Sequence, residues 1–127
     1  MSFTHKINSS YIDDSGQAIG GQNSYTGTVE KGFDGTLVVG VTNQAVAITW
    51  IAANVQSEVF YSSAAATIKT NSSTSPATTL TLAAGQTIVW GHDFLGANPI
   101  PADVTALYLT NTDATNSANI KIRVLST

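Results

Sequence analysis

The sequence predicts an all-β protein: an antiparallel, jelly-roll-like β-sandwich of about eight to ten short strands. Apolar residues alternate with polar ones and never follow a helical period of 3.6 for long. Gly, Asn, Asp and Pro divide the chain into short segments. Charged residues make up 10% of the chain, against about 25% in an ordinary domain. An immunoglobulin-like sandwich is the alternative, although its Cys–Trp–Cys signature is missing.

The chain of 127 residues fits one domain. Residues 1–32 are polar and rich in turn residues, with isolated apolar side chains such as Ile7 and Ile12. We expect this zone to form edge strands or an arm that lies on a neighbouring surface. Residues 33–127 are expected to form the sandwich core.

The first half of the core shows four strand patterns. Asp34-Gly35 is a dipeptide typical of hairpin turns and precedes a strand pattern over residues 36–42. After Asn43, alternation places Val46, Ile48 and Trp50 on one face. Two further strands are predicted over Val55–Ser62 and Ala66–Thr70.

The second half suggests two hairpins. Residues 78–82 and 86–90 flank the turn dipeptide Ala84-Gly85, so we expect them to pair. Residues 91–101 form the longest irregular stretch. Residues 106–111 and 118–125 flank a polar loop and are predicted to form a closing hairpin.

Composition argues against several partners. A net charge of −3, a pI near 5.0 and five scattered cations do not suit a nucleic-acid backbone. The most apolar stretch, residues 45–55, is too short to span a bilayer, and no signal peptide is apparent. No cysteine is present for thiol chemistry or thiolate-bound metal. We expect no nucleic acid, membrane, metal or cofactor partner.

Candidate catalytic groups are few, and we expect a protein that is not an enzyme. His92-Asp93 lies in the longest loop, but adjacent residues in extended chain point in opposite directions. Asp93 is interpreted as capping a local turn. The residues Asp13-Asp14-Ser15-Gly16 lack the spacing of a calcium loop and are read as an Asp-rich turn.

Binding is the harder function to exclude. Aromatic side chains near strand ends can stack on sugars if they are exposed together, whereas sandwich cores also need large aromatics. The candidate contacts for a partner or a glycan are Tyr25, Tyr61, Trp90 and His92. Trp50, and to a lesser degree Trp90, are expected to lie inside.

Three motifs carry a resemblance to a known family. They are Ala-Ala-Gly-Gln followed by Trp over residues 83–90, Val-Thr-Ala-Leu-Tyr-Leu-Thr-Asn over residues 104–111, and Ile-Lys-Ile-Arg-Val over residues 120–124. In texture, residues 35–125 resemble the small β-sandwich virion proteins of tailed bacteriophages, of the head decoration or cement type.

The resemblance implies a structural role. It implies an oligomeric protein that binds the major capsid protein or another virion protein and bridges capsomers on the outside of the head. Its location would be the virion, after assembly in the host cytoplasm. A tail, neck or fibre component, or a carbohydrate-binding β-sandwich module, remains the alternative.

Overall fold

A computed structural model describes all 127 residues, and it confirms the all-β prediction. Ten strands are joined by turns and loops, and the only helical segment is one 3-10 turn, Ala52–Asn54. No segment could therefore cross a membrane as a helix. The strands are β1 (Phe3–Ile12), β2 (Ala18–Gly27), β3 (Val29–Leu37), β4 (Gln44–Val46), β5 (Val55–Ser62), β6 (Ala66–Thr70), β7 (Thr79–Leu82), β8 (Thr87–Gly91), β9 (Leu107–Asn111) and β10 (Ala118–Ser126).

Eight strands form two four-stranded antiparallel sheets that face each other. The first sheet has the order β3-β10-β5-β8, and the second has the order β4-β9-β6-β7. Every connection from β3 to β10 crosses between the sheets, except the one that joins β6 to β7. The result is an antiparallel β-sandwich, as the alternating sequence pattern predicts.

The core lies between the inner faces of the two sheets. Its largest fully buried side chain is Phe60 of β5, and the predicted core residue Trp50 is 5% exposed. On β10, alternation points Ile120, Ile122 and Val124 inward, all without solvent exposure. Both sides of β10 are paired, with β3 and with β5, so it is a central strand.

The two hairpins predicted in the second half are wrong. β7 and β8 belong to different sheets, and so do β9 and β10. The turn after β7 is closed by the Gln86 amide, which donates to the carbonyl of Ala83, while the Gly85 amide donates to Ser62 at the end of β5. Alternation identifies the inward face of a strand, but it does not identify the strand beside it.

The predicted turn at Asp34-Gly35 is also wrong, because both residues lie inside β3. A side chain at Gly35 would meet the ring of Phe33 at 2.7 Å. Glycine is therefore needed at position 35 because the Phe33 ring covers it, and not because the chain turns there. The apolar residues after Leu37 do not continue the strand: Val38 and Val39 are exposed.

The N-terminal strands β1 and β2 form a separate two-stranded antiparallel sheet, paired from Phe3 with Gly27 to Ile12 with Ala18. The loop between them is closed by Asp13, whose carboxylate accepts hydrogen bonds from the amides of Ser15 and Gln17. Gly16 in this loop has a φ of +85°. The sandwich itself begins at Val29, the first residue of β3.

Candidate interaction site

The base of the β1–β2 hairpin packs on the outer face of the first sheet. Leu125 points outward from β10, yet it is fully buried, because Gly27 of β2 lies against it. The Thr28 amide, just after β2, donates to the Ser126 carbonyl at 3.0 Å. Glycine is required at position 27, since an added side chain would collide with this β10 backbone.

Tyr25 anchors the hairpin at the end of β8. Its ring is 2% exposed, lies against Gly91 and makes an edge contact with His92, with 5.6 Å between ring centroids. Its hydroxyl donates to Asp93 Oδ1 at 2.6 Å, and the Asn23 side chain donates to the other carboxylate oxygen at 3.2 Å. Burial, and then the bond to Asp93, raise the pKa of Tyr25. The Tyr25 hydroxyl is the main cause that lowers the pKa of Asp93.

His5 connects β1 to two strands of the sheet. Its Nδ1 lies 3.1 Å from Ser57 Oγ on β5, and its Nε2 lies 2.9 Å from Glu30 Oε2 on β3. The second contact is an ion pair when the imidazole is protonated. His5 and Tyr25 are paired across the hairpin, so both anchoring side chains lie side by side at the same distance from its tip.

A cleft of about 380 Å³ remains between β1 and the outer face of the sheet. Alternation along β5 turns the side chains of Ser57 and Val59 towards it, and that of Glu58 to the inside of the sandwich. The residues that line the cleft are Thr4, His5, Lys6, Ile7, Ser57, Glu58, Val59, Val89 and Arg123.

Arg123 is held at the floor of this cleft by β3. Its guanidinium donates to the carbonyls of Phe33 and Ile122, and it lies 3.3 Å from Asp34 Oδ2. Lys121, two residues earlier on the same face, is exposed and forms no ion pair. Asp34 lies opposite Lys121 in the β3–β10 pairing, so Lys121 and Arg123 share this one carboxylate.

Glu58 is a buried carboxyl group inside the sandwich. It is 1% exposed, pairs with Trp90 on β8 and Val124 on β10, and neither side-chain oxygen has a hydrogen-bond partner. Burial raises the pKa of Glu58 to about 8. The group is therefore mostly protonated at neutral pH.

The hairpin beyond Asn23 is exposed on both faces. We call residues 8–22 the distal hairpin. The hydrogen bonds of this segment stay within the hairpin, and its large apolar side chains Tyr11, Ile12 and Ile19 are 66%, 66% and 59% exposed. Tyr11 and Ile19 are paired and share the ribbon face that carries His5 and Tyr25. The face that packs on the sandwich at the base thus continues, uncovered, into the distal half.

The structure brings together two of the four predicted contact residues, Tyr25 and His92. Tyr61 points to the outer face of β5, whereas Trp90 points inward from β8 and donates to the Gly96 carbonyl. The four side chains therefore share no single platform. Their role in contacting a partner or a glycan stays a prediction.

Sequence reasoning missed His5, Ser57 and Glu58 as structurally special positions. Glu58 had a signal, because it alternates in phase with the core residue Phe60. His5 had no such signal, since its partners Ser57 and Glu30 are 52 and 25 residues away. No cluster of three His, Asp or Glu side chains has the geometry of a metal site.

Comparison of the chain with protein families, with curated proteins and with solved structures finds no match.

Proposed function

We propose that this protein is a structural, non-enzymatic virion protein of a tailed bacteriophage, which decorates or cements the outside of the capsid by bridging capsomers. The observation that carries the proposal is the distal hairpin. A two-stranded ribbon is at best marginally stable alone in water, and this one exposes three large apolar side chains. Such an arm gains stability when it lies on another protein subunit.

The order of the strands supports the same proposal. Eight strands in two four-stranded sheets, with nearly every connection crossing between them, suit a jelly roll. Jelly rolls serve in viral capsids and also in lectins, so this fold alone does not select the function. The motifs shared in texture with phage decoration proteins favour the virion.

The surface of the sandwich is also suited to close contact with protein. Exposed positions of β7 carry Thr79 and Thr81, and the loop of residues 71–78 consists of Asn, Ser, Thr, Pro and Ala. Small neutral side chains approach a partner without the desolvation penalty of burying charge. A protein that is repeated over a shell benefits from such faces.

The test is the removal of the gene from the genome that encodes it. Particles are then purified on a density gradient, with the complemented strain as the control, and imaged by electron cryomicroscopy. We expect the chain in the particle fraction and extra density outside the shell, which disappears on deletion and returns on complementation. Absence of the chain from particles, or density confined to the tail, would overturn the decoration role.

A further inference from the structure

We propose that the distal hairpin of one copy docks on the outer face of the first sheet of a second copy, beside that copy's own hairpin. The inference rests on the proposed function only in assuming an assembly of many copies. Its occupant is a second copy of this chain, and three features of the structure favour that choice.

The first feature is the continuity of a packing surface. The ribbon face that carries His5 and Tyr25 already packs on this outer sheet face at the base of the hairpin. The same face continues to the paired Tyr11 and Ile19, which lie beyond the last contact at Asn23. The hairpin face that packs on the outer face of the first sheet thus extends beyond the edge of that sheet.

The second feature is the unfilled receiving surface. The cleft of about 380 Å³ lies beside β1, with the half-buried side chains of Val59 and Val89 in its lining. Tyr61, two residues after Val59 on the same face, is half-buried as well. This surface offers apolar contact for Tyr11 and Ile19 of a neighbour.

The third feature is charge complementarity. The distal hairpin carries Asp13 and Asp14 and no Lys or Arg. The receiving face carries Lys121, which pairs with Tyr61 across β5 and β10 and shares its β3 neighbour Asp34 with Arg123, so two cations lie beside one carboxylate. An acidic tip that reaches this lysine sets the direction of docking.

The association is tested first by sedimentation of the full chain over a range of concentrations. We expect species larger than the 13.2 kDa monomer. Ile19→Ser should raise the dissociation constant about tenfold or more, since it removes a large apolar contact. Val38→Ser is the matched control, because Val38 is 58% exposed outside the hairpin, and it should change the constant less than about twofold. A monomer at all concentrations, or equal effects of the two variants, would overturn the proposal.

The docking surface is tested by disulfide cross-linking. Because the chain contains no cysteine, each introduced cysteine is the only thiol in its protein. A single-cysteine Ile19→Cys protein is mixed with a Tyr61→Cys protein under mild oxidation, and a Val38→Cys protein replaces the first as the control. We expect the Ile19→Cys and Tyr61→Cys pair to give the dominant mixed dimer. Dominant Ile19→Cys homodimers would mean that arms meet arms, and would refute docking on the sheet.

The docking proposal and the virion proposal can fail independently of each other. Copies that cross-link as expected but are absent from particles would remove the virion role and keep the docking. Particle binding that survives Ile19→Ser, with no association in solution, would remove the docking and keep the virion role.

Discussion

The hydroxyl of Tyr25 donates a hydrogen bond of 2.6 Å to the carboxylate of Asp93, and so joins the N-terminal hairpin to the loop after β8. Tyr25 is almost fully buried, while Asp93 is exposed. The bond fixes the base of the hairpin to the sandwich, whereas the hydrogen bonds of the distal hairpin stay within the hairpin.

Replacement of Tyr25 by Phe should loosen the hairpin base. The ring keeps its packing against Gly91 and His92, but the hydrogen bond is lost, at a cost of about 1 kcal/mol. Urea unfolding measures this change. Tyr61→Phe is the control, because the Tyr61 hydroxyl makes no hydrogen bond within the chain, and equal losses in the two variants would contradict the anchor.

Substitution of Gly91 by Ala should disturb the same anchor from the other side. An added methyl group at Gly91 would collide with the Tyr25 ring, whereas at Gly96 it meets no atom within 4 Å. We expect Gly91→Ala to destabilise the protein by about 1–3 kcal/mol and Gly96→Ala to stay within about 0.5 kcal/mol. Thermal unfolding followed by tyrosine and tryptophan fluorescence compares the two. A Gly91→Ala protein as stable as the wild type would show that Tyr25 does not pack there.

Glu58 should make the stability fall with rising pH. Its folded pKa of about 8 lies above its ordinary value of 4.5, so the folded state holds the proton more tightly. The contribution of this proton to the free energy of unfolding is fully present below pH 4.5 and is lost as the pH rises to about 8. The change in the free energy of unfolding is on the order of 4 kcal/mol.

Replacement of Glu58 by Gln should remove that slope, because an amide of similar shape does not titrate. Urea unfolding at several pH values between 5 and 8 measures the effect, and Asp14→Asn, at an exposed position, is the control that keeps the slope. A Glu58→Gln protein with an unchanged slope would assign the pH dependence to other groups.

Asn111 should be the most sensitive polar residue of the sandwich. Its buried side chain donates to the carbonyls of Leu37 and Asn116 at 3.0 and 2.9 Å, and accepts from the Asp113 amide. Asn111→Ala should cost about 3 kcal/mol, because buried backbone groups lose their partners. Asn119→Ala, at an exposed position, should cost about 0.5 kcal/mol or less. Similar denaturation midpoints for the two variants would contradict the role of this amide.

Local sequence patterns predicted the strands better than their partners. The ranges Val55–Ser62 and Ala66–Thr70 were predicted with the observed bounds, because β-branched and aromatic residues mark these two segments. The pairing of β7 and of β9 was mispredicted, because their neighbours β6 and β4 are selected by packing between two sheets. Short loops such as residues 83–86 look the same whether they turn within a sheet or cross to the other.

The site was less predictable than the fold. His92 and Asp93 were singled out as a loop pair. Their partner Tyr25 lies 68 residues before Asp93, so no local sequence pattern could predict the contact. The polar character of residues 1–32 suggested an arm or edge strands, and the structure places the two-stranded sheet of β1 and β2 in this zone. Its extent could not be predicted, since β3 begins within the same polar zone.

The central claim is that the distal hairpin is a contact element between copies, and amide hydrogen exchange of residues 8–22 tests it most directly. The backbone amides are followed by NMR or mass spectrometry in a dilute sample and in a concentrated one. We predict fast exchange when the chain is dilute, and marked protection of this segment when copies associate, with little change in β5 and β10. Equal exchange of the segment at both concentrations, in a sample whose association is shown by sedimentation, would contradict the account.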